Sequence, residues 1–463
     1  MTTHIPSMKH LTRRVAATCA IALAAVAGCS PDQILDVTDP DILNVEDYKT
    51  AAGANALRNG VLSDFQSAFS GSIDGVIVST GNMADEIRST DTFEDRLSVS
   101  SRTMIENNPA LLGTYRSLHR ARSGAETAAS VLRAVAPEPK RNIGEVFLYK
   151  GFTEIFFGEM YCSGVGFAKN TDGILTPGPQ LTTQQVLQMA VASLDTALLQ
   201  ADTSNFVRYA AQIGRARALL NLGQFAQAAA AVQGVPTTFQ WLTFHSTNSG
   251  RQENQIWGAL SVTAPRYTVV DREGTNGLPF LQNPVDPRMP WAATTRNGFN
   301  SLHTRLPDQR KYGRTSSIIV ADGLEARLIE LEARLQGGTQ ADRDAVFAGL
   351  NTLRTTPRSV PNPAGGAAVS YTVGAMTGTA PTTQAAAVDL LFRERAYWMW
   401  LTGHRLADLR RLVRQYQRPA ESVYPTGTQA QPLTGNYGTD LNFVIPFEER
   451  NSPTFSGCIN RNA

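Results

Sequence analysis

Leu324, Leu328, Leu331 and Leu335 recur at spacings of four, three and four residues. Only an α-helix puts such a series on one face, so this stretch is a helix with one side to bury. Gly337-Gly338 ends it, and Thr339 with Asp342 reads as a capping box for a second helix carrying Val346, Leu350 and Leu353. A second pair has the same design. Phe206, Ala210, Ile213 and Leu220 form one stripe, Leu222-Gly223-Gln224-Phe225 makes a turn, and Ala228, Ala229 and Val232 continue the apolar face until Gly234 and Pro236 close it. A chain with two such pairs is built from helical hairpins.

Small alanines at the crossing and a Leu-Gly-x-Phe turn follow the packing logic of tetratricopeptide hairpins. The two pairs share no sequence identity, so hairpin packing is expected without a regular repeat array. Leu111 to about Val135 is a further amphipathic stretch, stopped by Pro137 and Pro139. Ile143 to about Met160 carries Phe147, Tyr149, Phe152, Phe156 and Phe157, a stripe that reads as core. A third helical region runs from about Thr383 to Tyr416, broken at Gly403-His404-Arg405. The fold class is therefore mainly α. Between these regions lie polar stretches at 60–105, 237–315, 357–382 and 417–463, with Ile73 to Val78 reading as a short strand. Irregular segments this long are commonly functional, and they are the expected ligand and partner surface.

The N-terminus defines the compartment. Lys9, Arg13 and Arg14 precede an apolar run from Val15 to Ala27, which is too short to span a bilayer but suits a secretory leader. Ala27-Gly28-Cys29 then forms a lipobox. Residues 1–28 read as a lipoprotein signal peptide, with Cys29 as the attachment point for acyl chains such as palmitate. Residues 29–45 form a polar tether and 46–463 the folded domain. No later segment has the length and apolarity of a transmembrane helix, so the chain is expected to be anchored to a membrane rather than to span one. Ser30 after the cysteine favours the outer membrane. Removing residues 1–28 leaves 39 Lys and Arg against 40 Asp and Glu. That neutrality argues against nucleic acid as a partner, since phosphate binding needs a clustered basic excess. With Cys19 in the leader and Cys29 acylated, Cys162 and Cys458 are left as a possible disulfide of an oxidising compartment, the alternative being two separate buried thiols.

Motifs of catalysis are scarce. The chain has no H-E-x-x-H, Walker-type G-x-x-x-x-G-K-[ST], G-x-S-x-G or C-x-x-C. Beyond the leader only His119, His245, His303 and His404 remain, widely scattered, and no cluster predicts a metal site or a cofactor. His404 reads as structural or surface. Glu325, Glu330, Glu332 and Glu394 read as helix-surface ion-pair carboxylates, although a glycosidase would need only two acids placed by the fold. Trp241, Trp257 and Trp291, with Phe244, Tyr267 and Phe280, fall in the loop-rich region. Exposed rings there would stack on sugar faces, but anchoring of loops onto the helices is the favoured explanation for any one of them, so none is assigned to ligand and the ligand-contacting residues stay open.

Taken together, these segments resemble the SusD/RagB family of outer-membrane nutrient-binding lipoproteins. The resemblance begins at Cys29 and Leu35-Asp36-Val37-Thr38-Asp39-Pro40. It continues through the Leu222 to Phe225 turn, Asp286-Pro287-Arg288, Glu325 to Ala333, and Leu350-Asn351-Thr352-Leu353-Arg354. Its most specific part is Glu394-Arg395 with Gly403-His404-Arg405 and Asp408-Leu409-Arg410-Arg411, followed by Ile445-Pro446 and Glu449. Thr402 departs from the family's glutamate before the glycine, and Asn451-Ser452-Pro453 from its usual Asn-Pro spacing. The resemblance implies a single, mostly helical domain with tetratricopeptide-like hairpins and long loops carrying a few short strands. It implies a non-enzymatic binder of oligosaccharide, with peptide as another ligand class, and a TonB-dependent (SusC-like) transporter over which the protein sits as a lid. A helical scaffold lipoprotein that organises envelope proteins without binding nutrient is the alternative.

Overall fold

The structure is a computed structural model that describes residues 48–171, 174–429 and 435–463. The leader, Cys29 and the tether lie outside the described residues. The helices are α1 (Ala51–Phe69), α2 (Val76–Met83), α3 (Glu94–Ser100), α4 (Pro109–Val135), α5 (Arg141–Met160), α6 (Thr183–Leu199) and α7 (Asn205–Asn221). They continue as α8 (Phe225–Val232), α9 (Gln255–Leu260), α10 (Gly323–Leu335), α11 (Gln340–Thr355), α12 (Gln384–Trp398) and α13 (Arg405–Arg414). Many begin where a side chain can accept the free amide hydrogens of the first turn. Asn108 caps α4 ahead of Pro109, Ser204 caps α7 and Asp322 caps α10. Thr339 and Asp342 form a reciprocal capping box on α11, as their spacing implies.

The helices pack in sequence as antiparallel hairpins. α4 lies against α5, α5 against α6, α6 against α7 and α7 against α8; α8 joins α10, which pairs with α11. Both hairpins read from the leucine and alanine stripes are present, and their turns use Gly223 and Gly338 at positive φ, where other residues are strained. The α5–α6 contact is the most extensive between described helices. Gly144, Gly151 and Gly158 recur every seven residues along α5. A Cβ added to them would lie 3.0 Å from Gln200, 2.6 Å from Leu194 and 2.8 Å from Leu187. Missing side chains on one helix thus receive the leucines of the next, as knobs enter holes.

The most specific sequence motif is internal. Arg217 binds Glu159 through two hydrogen bonds of 2.7 and 2.6 Å, and its Nη1 lies 2.8 Å from His404 Nε2. That nitrogen lies 3.1 Å from Glu325 Oε1, and Thr402 Oγ1 lies 2.9 Å from His404 Nδ1. Arg395 donates to both oxygens of Asp408, and Arg411 joins Asp408 to Glu332. Glu394 accepts from Arg288 at 2.7 Å and Arg354 at 2.9 Å, while Arg405 grips Asp85. Burial by itself raises the pKa of Glu325; His404, Arg217 and Arg395 outweigh it and hold the carboxyl below its usual range. Glu325, Glu332 and Glu394 are thus ion-paired, but in the interior, not on the helix surfaces expected for them. His404 is structural. Glu330 is half-buried beside Arg327.

Two readings of local structure are corrected. The Ile73–Val78 segment is not a strand: Gly75 starts α2, and all eight residues from Val76 to Met83 are buried. A short helix buried on every side has no polar face, so its apolar run looks like a strand to a pattern reader. The 60–105 stretch is likewise not mainly loop, since it holds the end of α1 together with α2 and α3. Segments 237–315 and 357–382 carry short strands, and the strands among the described residues form two-stranded antiparallel pairs. One such pair, Ile87–Ser89 with Tyr267–Val269, brings two distant loops together. No described helix is long and apolar enough to cross a membrane.

Candidate functional site

That strand pair builds the most distinctive exposed surface among the described residues. Directly after Ile87–Ser89 the chain turns through Thr90 and Asp91 into α3, whose N-cap is Phe93. Asp91 Oδ1 accepts the Thr92 N–H at 2.7 Å and the Phe93 N–H at 3.4 Å, holding Phe93 in place from behind. The loop 298–303 is pinned to the same spot. Phe299 N–H donates to Pro265 O and Asn300 N–H to Thr90 O, both at 2.9 Å, and Asn300 Oδ1 receives the amides of Leu302 and His303. Despite these fastenings, Phe93 is 51% and Phe299 41% exposed, and Leu302 and Ile105 are more so. Large apolar side chains that the backbone fixes outward are positioned for contact with something other than the protein's own core.

Between the two rings lies Arg266. Its guanidinium carbon is 3.9 Å from the Phe299 centroid and 5.4 Å from that of Phe93, and Arg96 lies 5.6 Å from the Phe93 ring. These distances are those of cation–π contact. Beneath them runs a chain of alternating charge. Asp74 accepts from Arg96 at 2.8 and 2.6 Å and from Tyr267 OH at 2.6 Å; Arg96 and Arg266 both donate to Asp91. Burial would raise the Asp91 carboxyl, but hydrogen bonds from Arg266 and Thr92 reverse that and keep it below the usual range. The floor is therefore ionised and fixed. An open cleft of about 600 Å³ extends from Phe93 past Glu94, Asp95, Thr103, Ile105 and Asn107. It offers a ring face beside carboxylates, a hydroxyl and an amide. This combination suits a ligand with apolar C–H faces and many hydroxyls.

Sequence reasoning singled out other aromatics. Trp241 is only 2% exposed, with the rings of Phe65, Tyr149 and Phe152 at 5.5, 5.3 and 4.8 Å, so it is core. Trp291 spends its N–H on Gln282 O at 3.0 Å, and Trp257 packs beside Arg314. Tyr267 and Phe280 are buried, while Phe244 is exposed on a separate surface beside Gln66 and His245. Phe93 and Phe299 were passed over. Their one signal is a phenylalanine set among charged or turn-forming neighbours, Asp91-Thr92-Phe93-Glu94 and Gly298-Phe299-Asn300. Cys162 and Cys458 are joined by a disulfide, with Cα atoms 5.9 Å apart. Among the described residues no group of three or more His, Cys, Asp or Glu is placed to hold a metal ion.

The whole described architecture has close counterparts. A SusD superfamily protein from Bacteroides vulgatus superposes with a TM-score of 0.59 at 14% identity, covering 88% of this chain and 98% of that one. The chain has the SusD fold. A SusD-like carbohydrate binding protein from Bacteroides fragilis matches at TM-score 0.61 and 11% identity, over 88% of this chain and 99% of that one. A laminarin binding SusD-like protein matches at 0.59 and 14%, over 89% and 99%. No protein-family model matches the sequence, and no curated protein does. Within this SusD-like chain the motif residues at 394–411 sit in the ionic core, while the exposed ring pair lies on loops outside it.

Proposed function

We propose that the chain is a lipid-anchored, non-enzymatic glycan-binding protein of an outer membrane, delivering oligosaccharide to a TonB-dependent transporter of the SusC type. In this reading residues 1–28 are the leader, Cys29 carries the acyl chains, residues 29–45 are the tether and 46–463 the binding domain. The observation that carries it is the fixed, outward-facing pair Phe93 and Phe299 on a SusD fold. Two similar structures are described as carbohydrate binding, and one as laminarin binding. A sugar ring stacked on Phe93 would gain apolar contact, and Glu94, Asp95 and Asn107 would take its hydroxyls. Tethering through Cys29 would keep this surface at high local concentration above a pore.

The test is affinity electrophoresis of the mature chain through gels containing laminarin, xylan, pectin or starch, followed by calorimetry with oligosaccharides of the retarding polymer. At least one polymer is expected to retard the protein without being hydrolysed. Phe93→Ala and Phe299→Ala should each weaken binding about tenfold, the effect of roughly 1.4 kcal/mol of lost ring contact. No retardation on any of the four, or full affinity in the double variant, would count against this surface and leave the scaffold reading in front.

A further inference from the structure

Phe244, at 71% exposure, stands further out of the protein than either Phe93 or Phe299. It follows the strand Gln240–Thr243, which pairs with Ile318–Asp322, and its own carbonyl accepts the Gln66 side-chain amide at 2.6 Å. The residues after it are fastened as well. His245 Nδ1 lies 3.2 Å from Gln252 O, its Nε2 lies 3.3 Å from both Ser70 Oγ and Thr243 Oγ1, and the Ser246 N–H donates to Gln252 O at 2.9 Å. A large apolar ring held outward by a fixed backbone is placed to meet a ligand.

Two clefts meet at this ring. On one side an apolar cleft of about 350 Å³ is lined by Leu62, Tyr149 and Phe206. On the other a polar cleft of about 620 Å³ lies between α1, α4 and the 244–252 loop. Small-molecule sites span roughly 300–1,000 Å³, so there is room for a sugar unit beside the ring. The polar cleft carries Ser63 and Asp64 from α1, Arg120 from α4, and Arg251 and Gln252 from the loop. These groups are open to solvent. Ser63, Arg251 and Gln252 are exposed, and the Arg120 and Asp64 side chains, paired at 2.9 Å, keep 59% and 30% of their area. Among the described residues the Ser63 hydroxyl and the Arg251 guanidinium have no partner. Burial brings the His245 imidazole below its ordinary pKa, although the backbone of Gln252 and Glu253 pulls the other way, so the ring is mainly neutral at pH 7. With Asp64 balanced by Arg120, Arg251 is the charge left over.

We propose that Phe244 and this polar cleft form a second glycan site, one that takes a sugar unit carrying a carboxylate. The apolar C–H face of the sugar ring lies on Phe244, its carboxylate pairs with Arg251, and its hydroxyls bond to Asp64 and Ser63. The cleft beside Phe93 has the opposite charge. There Arg96 and Arg266 are engaged by Asp74 and Asp91, and Glu94 and Asp95 keep no cationic partner, so an acidic sugar is repelled at Phe93 and received at Phe244. The two clefts share no lining residue, and either site can fail without the other.

Calorimetry of the mature protein with trigalacturonate and with its uncharged methyl ester tests this, at about 0.15 M salt, where diffuse charge attraction is screened. The acid should bind about tenfold or more tightly than the ester. Arg251→Gln should bring the acid down to the level of the ester. Phe244→Ala, which leaves every charge in place, should weaken the acid about tenfold, the loss of one ring contact. Phe93→Ala/Phe299→Ala should bind the acid as the wild type does. The acid–ester comparison is made on the unaltered chain, so it stands whatever the variants do to folding. Equal affinity for acid and ester, or no heat with the acid at millimolar concentration, would overturn the proposal. So would full affinity in Phe244→Ala, which marks plain attraction of an anion to arginine, or loss in Phe93→Ala/Phe299→Ala, which puts the acid at the other site.

Discussion

Leu401 adopts a φ of +55° while fully buried, a conformation that costs a branched residue about 1 kcal/mol or more. Glu86 helps hold it there, accepting the Leu401 N–H at 3.0 Å through Oε1, while its Oε2 has no partner. Burial pushes the Glu86 carboxyl up to about 8, against the lowering effect of that N–H. Between about pH 4.5 and 8 the folded chain therefore keeps a proton that the unfolded chain has released, and stability falls as pH rises through that window. Glu86→Gln keeps the acceptor and removes the titration. Denaturant midpoints of the variant relative to wild type should rise from about pH 5 to pH 8 and then level off. A constant offset would show that Glu86 is ionised in the folded protein. Single residues of this kind are poorly legible in sequence. Nothing local to Asp85-Glu86 says that they meet Arg405 and Leu401 some 315 to 320 positions away. Trp241 fits the anchoring reading, since its short strand lies directly on the α5 aromatics, whereas Phe93 and Phe299 owe their exposure to pins from Asp91, Thr90 and Pro265.

At the scale of elements the reading is much better, because helix signals are local. The leucine series, the Thr339–Asp342 capping box, the double glycine and the prolines after Val135 all act within a turn or two of themselves, and each lands where its spacing implies. The α2 helix is lost for the complementary reason: its signal is burial by elements distant in sequence. The seven-residue glycine series of α5 was open to view but has meaning only beside Leu187 and Leu194. It leads to a prediction about the α5–α6 contact. Gly151→Val would place branched carbon where Leu194 sits, and overpacking of this kind typically destabilises by about 1–3 kcal/mol. A lower midpoint with unchanged steepness in urea is expected. A shortened partner in Gly151→Val/Leu194→Ala should recover part of the loss, and no recovery would separate the defect from this contact.

Over the described part of the molecule, buried charge and one covalent link tie the C-terminal helices and segment to the middle of the chain. Arg217, Glu159, Glu325, His404, Arg395, Asp408 and Arg411 join α5, α7, α10, α12 and α13, and the Cys162–Cys458 bridge fastens the C-terminal segment behind α5. Ion pairs this buried leave an uncompensated charge when one member is removed, at a cost of about 3–5 kcal/mol, which accounts for a specific motif that lies in the interior. Ligand chemistry is thereby left to the loops, where sequence pattern is weakest. The central claim, a glycan receptor tethered over an outer-membrane pore, is most directly tested by mild-detergent extraction of the tagged native protein and mass spectrometry of its companions, for wild type and Cys29→Ala. A large TonB-dependent barrel at near-equal abundance is expected with wild type, and Cys29→Ala should leave the membrane fraction. Recovery of the wild-type protein alone, or membrane retention unaffected by Cys29→Ala, would contradict it.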